Sequence, residues 1–365
     1  MRINEITDAL EQLAPPAFQE AYDNTGLLTG NSGWDCRGVL VSLDATEEIV
    51  QEAIDRDCNL IVAHHPILFS GLKKLTGKNY LEKAIILAIK ADIAIYAIHT
   101  NLDNVLNGVN GRIARQMGLE HTRILQPKEG MLRKLVTYVP QGYLDQVRNA
   151  LFAAGGGHIG NYSECSFSAP GTGTFRGGEN TNPFDGTPGI RQESPEFKLE
   201  LVYPLPMERA ILKALRNSHP YEEIAVDLLP LGNRHDGIGS GIWGELPVAM
   251  AETSFLEWLK GIFRVPVIRH TKLLNRPVKR VAVCGGAGSF LISNAIGINA
   301  DAYITADMKY HQFFDADSRL LLADPGHFET EQFTIDLLHE YLAEKFPTFA
   351  VFKTGQSTNP VNYYT

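Results

Sequence analysis

The sequence predicts an α/β fold: two related α/β halves forming one dinuclear-metal domain, interrupted by an inserted ferredoxin-like α+β domain. Three observations lead there. Short apolar runs bounded by turn residues, Leu60–Ala63, Ile93–Ile98 and Leu320–Ala323, read as buried strands of a parallel sheet. Residues 37–65 align without gaps to residues 279–307, at an offset of 242. Between the two copies lies a stretch whose elements follow the order β-α-β-β-α-β.

Taken in order, Met1-Arg2-Ile3-Asn4-Glu5-Ile6 lacks the basic start, apolar stretch and small-residue cleavage site of a signal peptide. It reads as an amphipathic helix with Ile3, Ile6, Leu10 and Leu13 on one face. In the repeat, Val39 meets Val281, Val41 meets Val283, Ala53 meets Ala295 and Ile54 meets Ile296. Each copy reads as strand, turn, helix, strand, and each is followed by a further strand, Ile93–Ile98 or Leu320–Ala323. The middle stretch opens with the alternating strand Leu132–Val139, the helix Leu144–Ala153 and a Gly155-Gly156-Gly157 turn. It continues with the strand Phe197–Tyr203, a helix around Met207–Asn217 and the strand Ala225–Leu229. Residues Ala169–Pro195, dense in Gly, Pro, Asn and Thr, read as a long loop or hairpin. The termini of such a unit lie close together, which suits insertion into another domain. The expected boundaries are residues 1–127, 128–236 and 237–365.

Each predicted parallel strand runs into a candidate ligand. His64-His65 end the first run, Asp103 follows the second, and His327 with Glu331 follow the third. Ligands collect at the carboxyl edge of open α/β sheets. His327 and Glu331, four residues apart, share one face of a helix. Three imidazoles and two carboxylates exceed what one tetrahedral zinc takes and suit two hydrolytic ions. Each piece has a plainer reading: a strand-end turn for His64-His65-Pro66, an N-cap or Asx-turn for Asp103, a solvated first helical turn for Gly326–Glu331. Their common edge is what joins them. Zinc leads, and manganese, iron, cobalt or nickel also match this donor set.

Composition sets outer bounds. The chain has 365 residues, is 44% hydrophobic and 21% charged, and holds no apolar stretch approaching the roughly 18 residues of a membrane span. Its formal charge of −9 argues against nucleic acid, which prefers a basic surface. Four cysteines without close spacing point to a reducing cytoplasm. Two metal ions would supply the local positive charge that an anionic small substrate needs. Lys73, Lys74 and Lys78 offer a second source, although a solvated loop explains them as well. Gly285-Gly286-Ala287-Gly288 fits neither GxGxxG nor a P-loop and reads as a tight turn that brings backbone close to backbone.

His64-His65-Pro66, His99-Thr100-Asn101-Leu102-Asp103 and Gly326-His327-Phe328-Glu329-Thr330-Glu331, in this order and at these distances, resemble the GTP cyclohydrolase 1 type 2 family, also called the Ngg-interacting-factor-three-like family. Tyr22–Leu27, Cys284–Ser289 and Asp307–His311 match it too, and the resemblance covers essentially the whole chain. It implies a two-metal site of His64, His65, Asp103, His327 and Glu331, a ring-shaped homohexamer, and an insert similar to PII and CutA-type folds. His311 is then the first candidate for a proton donor or for a contact behind the metals, and His99 the second. The reaction implied is attack on the imidazole carbon of guanine in GTP, ring opening and loss of formate. Coordination lowers the pKa of water from about 15.7 to roughly 7 at a zinc site, which makes a nucleophile at neutral pH. The same site would serve a phosphoesterase or an amidohydrolase, and the insert also suits a metal-binding regulator without turnover.

Overall fold

Strands covered on both faces need apolar side chains at every position, and the short runs found in the sequence have that property. In the computed structural model, which describes residues 1–364, Val39–Ser42, Leu60–Ala63, Ala94–Ala97 and Leu321–Asp324 are strands buried at each residue. The chain divides by contact into two units, Met1–Pro127 with the residues from Gly237 onward, and Lys128–Asp236.

The first stretch runs α1 (Ile3–Leu13), β1 (Gly26–Thr29), β2 (Val39–Ser42), α2 (Glu47–Asp55), β3 (Leu60–Ala63), α3 (Tyr80–Lys90), β4 (Ala94–Ala97), α4 (Thr100–Asp103), α5 (Val109–Gln116) and β5 (Glu120–Pro127). The smaller unit holds β6 (Leu132–Pro140), α6 (Leu144–Ala153), β7 (Phe167–Arg176), β8 (Arg191–Pro204), α7 (Glu208–Ser218) and β9 (Val226–Pro230). The last stretch runs β10 (Gly239–Met250), α8 (Glu252–Phe263), β11 (Arg269–His270), β12 (Val278–Ala287), α9 (Ile292–Gly297), β13 (Ala302–Ala306), β14 (Leu321–Asp324), α10 (His327–Glu331), α11 (Phe333–Lys345) and β15 (Val351–Lys353). Among the described residues no helix is long and apolar enough to cross a membrane.

The larger unit has two sheets, ordered β1-β4-β3-β2-β15 and β11-β14-β13-β12-β10-β5. Strands β15, β2, β3 and β4 run parallel, as do β12, β13 and β14. The offset that aligns the two sequences also carries the strand pairing. Val39 pairs with Leu60 and Val41 with Val62, while Val281 pairs with Ala302 and Val283 with Ile304. The halves nevertheless do not each own a sheet. Strand β5, from the first stretch, closes the second sheet against β10, and β15, from the last stretch, closes the first against β2. Helices follow suit: α11 packs on β2 and β15, and α5 packs on β10 and β12.

Local signals hold the connections. Thr46 caps α2 and Asn79 caps α3, whose Glu82 carboxylate accepts the Thr76 and Lys78 amides at 2.6 and 3.2 Å and closes the loop after Pro66. In α1, Ile3, Ile6 and Leu10 are buried as the periodicity predicts, and Leu13 is half-buried. The first sheet packs Leu40, Ile61 and Ile95 against Ile49 and Ala53 of α2 and Ala84 and Ala88 of α3.

In the smaller unit four antiparallel strands lie in the order β7-β8-β6-β9. The stretch Ala169–Pro195 takes the hairpin form: β7 pairs with β8 from Phe167 to Arg176, so β8 begins at Arg191 rather than at Phe197. The sheet core of Leu135, Val139, Leu199 and Leu201 meets Val147 and Leu151 of α6 and Ile211 and Leu215 of α7. Replacing Leu201 by Ala, a nearly inaccessible residue of this core, is expected to cost about 2–5 kcal/mol in urea denaturation. A loss under about 1 kcal/mol would show that the core is not packed around it.

Candidate metal centre

Chain pairing continues past β3 into His64 and His65, whose backbone amides donate to Ser42 and Leu43 at 3.2 and 2.9 Å. This fixes both imidazoles at the carboxyl edge of the first sheet. His99 follows β4, and Asp103 ends the short helix α4 behind it. His327 opens α10 and Glu331 closes it, beyond β14. These elements bring the side chains of both sheets to one place. Glu331 Oε2 lies 2.9 Å from His65 Nε2, 3.0 Å from His327 Nε2 and 3.9 Å from His64 Nε2. His65 and His327 approach to 3.3 Å through their Nε2 atoms, and Asp103 Oδ1 stands 3.7 Å from His64 Nε2. His65, His327 and Glu331 form one potential metal-holding group, and His64, His65 and His99 another.

The opposite ring nitrogens decide what these imidazoles can do. His64 Nδ1 donates to the Ile98 carbonyl at 2.8 Å, His65 Nδ1 to Asp44 Oδ1 at 2.8 Å, His327 Nδ1 to Asp307 Oδ2 at 2.7 Å and His99 Nδ1 to Asp23 Oδ1 at 2.8 Å. A carbonyl or a carboxylate can only accept, so Nδ1 carries the proton and a neutral ring presents the Nε2 lone pair inward. Metal-binding histidines are held in this way. With each ring protonated on Nδ1 alone, His64 Nε2 and Glu331 Oε2 are buried without a hydrogen-bond partner, at a cost of about 1–3 kcal/mol for each such group. Lone pairs converging on a carboxylate oxygen repel unless a cation or protons lie among them. The donor set therefore fits a divalent metal.

Without a cation, protons take that place unevenly. Burial pushes His64 down to about 3. Burial also opposes charge on His65 and His327, yet hydrogen bonds to Asp44 and Glu331 bring His65 up to about 9, and those to Asp307 and Glu331 bring His327 up to about 11. Burial would raise Glu331, but His327 and His65 hold it well below the usual carboxylate range. Asp103 goes the other way: burial, with Glu331 adding to it and His99 opposing, pushes it up to about 7.

Gly286 makes room for this cluster. Its φ is +59°, and a Cβ there would lie 2.3 Å from Glu331 Oε1 and 3.1 Å from His327 Cε1. Its amide donates to Thr330 Oγ1 at 3.0 Å, so the end of β12, where the sequence suggested a tight turn, brings backbone against α10. His99 lines the cleft that opens beside the cluster. His311 does not: it is exposed on the turn Tyr310–Ala316, its ring against those of Tyr310 and Phe314. Lys73, Lys74 and Lys78 are exposed and are not among the residues lining the cleft.

Sequence reasoning assigned no role to Asp44, Asp307, Asp23 or Thr358. Asp44 stands two residues beyond β2, Asp307 directly follows β13, and Thr358 Oγ1 donates to Asp44 Oδ2 at 2.5 Å. A carboxylate just past a buried strand was the available signal. Asp44→Asn and Asp307→Asn should each weaken metal binding about 10- to 100-fold in a chelator competition. Equal affinity in either variant would remove that carboxylate from the support of its histidine.

A sequence model of the family described as Duf34/NIF3 (NGG1p interacting factor 3) matches residues 1–360. A protein of Halalkalibacterium halodurans named GTP cyclohydrolase 1 type 2 homolog is 40% identical over 324 residues, covering 88% of this chain and 87% of that one. A protein of Bacillus subtilis with the same name is 38% identical over 369 residues, with 98% of each chain covered. Among solved structures, a Bacillus cereus protein related to NIF3 superimposes with a TM-score of 0.89 at 37% identity, covering 100% of this chain and 99% of that one. A Staphylococcus aureus protein gives 0.79 at 28% identity, with the same coverage. With mixed α/β architecture, relatives at this identity and a match over residues 1–360, the chain belongs to the Duf34/NIF3 (NGG1p interacting factor 3) family.

Proposed function

We propose that this chain is a metal-dependent hydrolase of the GTP cyclohydrolase 1 type 2 kind, in which His64, His65, Asp103, His327 and Glu331 hold two divalent ions. The observation that carries the reading is the convergence of inward-facing Nε2 lone pairs on the buried Glu331 Oε2, with every Nδ1 anchored from behind. Glu331 lies against imidazoles from both sides of the cluster, so it would be a ligand to an ion held there. Zinc suits the donors best, with manganese, iron, cobalt or nickel as alternatives. Bound there, such ions would acidify a coordinated water and polarise a substrate atom.

The chain's own residues do the rest. Asp44, Asp307 and the Ile98 carbonyl hold the proton on each Nδ1 and aim each Nε2 inward. Asp23 holds His99, and the Thr100 amide and hydroxyl also donate to Asp23. Burial opposes charge on Asp23, but these bonds bring it to about 2, so it stays an anion behind His99. Within a single chain His99 is thereby better placed than His311 to carry a proton to or from the substrate. In the guanine case, one water opens the imidazole ring to a formamide and a second releases formate.

Residues 128–236 belong to the same reading as an inserted ferredoxin-like domain of the PII/CutA kind. The strand order β7-β8-β6-β9, with α6 and α7 in one core against the sheet, supports it. The two remaining segments form the metal domain, and the shared strand register supports their kinship. A homohexamer in a reducing cytoplasm, acting on a small molecule such as GTP, completes the proposal.

Protein of measured metal content, incubated with GTP, should release formate, and the His65→Ala/Glu331→Ala variant should lose both metal and release. A chain that holds two metals but leaves GTP intact would keep the site and move the function to another hydrolysis or to regulation without turnover. Failure to hold metal at all would sink the reading.

A further inference from the structure

After β15 the chain runs on into the cleft beside the metal cluster. Its anchors come first. The Thr354 amide donates to the Val41 carbonyl at 2.9 Å, which prolongs the pairing of β15 with β2. The Gly355 amide donates to Glu52 of α2 at 2.9 Å, and the Thr354 hydroxyl binds the same carboxylate. Thr358, Asn359, Pro360, Val361 and Tyr363 then line the cleft, whose volume is about 1130 Å³.

Two consecutive residues of this segment reach carboxylates that serve the two ligand-bearing edges. Thr358 Oγ1 donates to Asp44 Oδ2 at 2.5 Å, which leaves Asp44 Oδ1 to accept from His65 Nδ1 at 2.8 Å. Asp44 follows β2 and so belongs to the first sheet. Asn359 Nδ2 donates to Glu329 Oε1 at 2.9 Å. Glu329 is buried in α10, between His327 and Glu331, beyond a strand of the second sheet. Holding one oxygen of a carboxylate fixes where the other lies, so the Thr358 bond sets how Asp44 meets His65. Helix α10 spans only His327–Glu331, too short to persist without outside contacts. Thr330 ties it to Gly286, and Asn359 ties it to the segment after β15.

We propose that Thr358 and Asn359 form a clasp: by binding Asp44 and Glu329 at once, they lock the two ligand-bearing edges together with their donors already converged for a divalent ion. The proposal rests on the metal reading above and adds two positioning residues that are not among the ligands. Coupling of this kind is reciprocal. If the closed clasp strengthens metal binding by some factor, bound metal strengthens the clasp by that same factor. The wall that residues 358–363 give the cleft is therefore firmer once metal is loaded.

In the test, full-length protein is stripped of metal and titrated with zinc against a chelator, and amide hydrogen exchange of residues 354–364 is followed with and without zinc. Thr358→Val keeps the shape and loses the hydroxyl. Asn359→Asp keeps the acceptor for the Val361 amide but sets a carboxylate against Glu329. Each should weaken zinc about 3- to 30-fold, and Thr358→Ser should restore the affinity. Zinc should slow exchange in the segment of the unmodified protein by a similar factor, at least about threefold. Circular dichroism checks that the variants fold, and the exchange of the unmodified protein decides the matter where one does not. Unchanged zinc affinity in both variants, even with a lowered melting temperature, would overturn the clasp and leave the metal reading standing. So would exchange that zinc does not slow. Unmodified protein that binds no zinc would overturn both.

Discussion

A carboxylate buried among imidazole nitrogens is stable only if positive charge lies with it, and much of the larger unit is arranged around this constraint at Glu331. The residue closes α10, which follows a strand of the second sheet, while His65 follows a strand of the first. Their 2.9 Å contact therefore joins the carboxyl edges of the two sheets. Gly286 leaves the space, Thr330 fastens α10 to that glycine, and Asp44 and Asp307 orient the histidines. In a low-dielectric pocket, unmatched charge costs far more than it would in water. Protons satisfy the cluster in the absence of a cation, and a divalent ion would satisfy it without protonating any ring.

The exchange of strands has a related mechanical consequence. With β5 in the second sheet and β15 in the first, neither parallel core is assembled from one continuous stretch of chain. Helix α11 runs from the end of the metal-facing segment onto the first sheet, touching β2 and β15. Ligands on opposite sheets are thus tied by backbone pairing and by buried helix faces, beyond their own contact. Catalytic geometry needs such support, since a site built on rigid elements holds its donors more closely than one built on free loops.

The sequence by itself determined the strands and their ends. Leu60–Ala63 and Leu320–Ala323 are apolar throughout because both faces are covered, and that requirement is written into consecutive residues. His64, His65, His327 and Glu331 could be read for the same reason, standing directly after such runs or one helical turn apart. The close backbone approach at Gly285 and Gly286 was legible, since only a missing side chain permits it, but these residues end strand β12 where the sequence suggested a tight turn. Tertiary structure decided the rest. That Asp44 supports His65 and Asp307 supports His327, that His99 enters the cleft and His311 stays outside it, and that β5 and β15 change sheets all depend on register between segments distant in the chain. The hairpin of β7 and β8 was hidden likewise, because glycine and proline in Ala169–Pro195 signal turns locally while the cross-strand partners that order them lie elsewhere. Apolar periodicity records what each residue buries, and it does not record which distant residue it will meet.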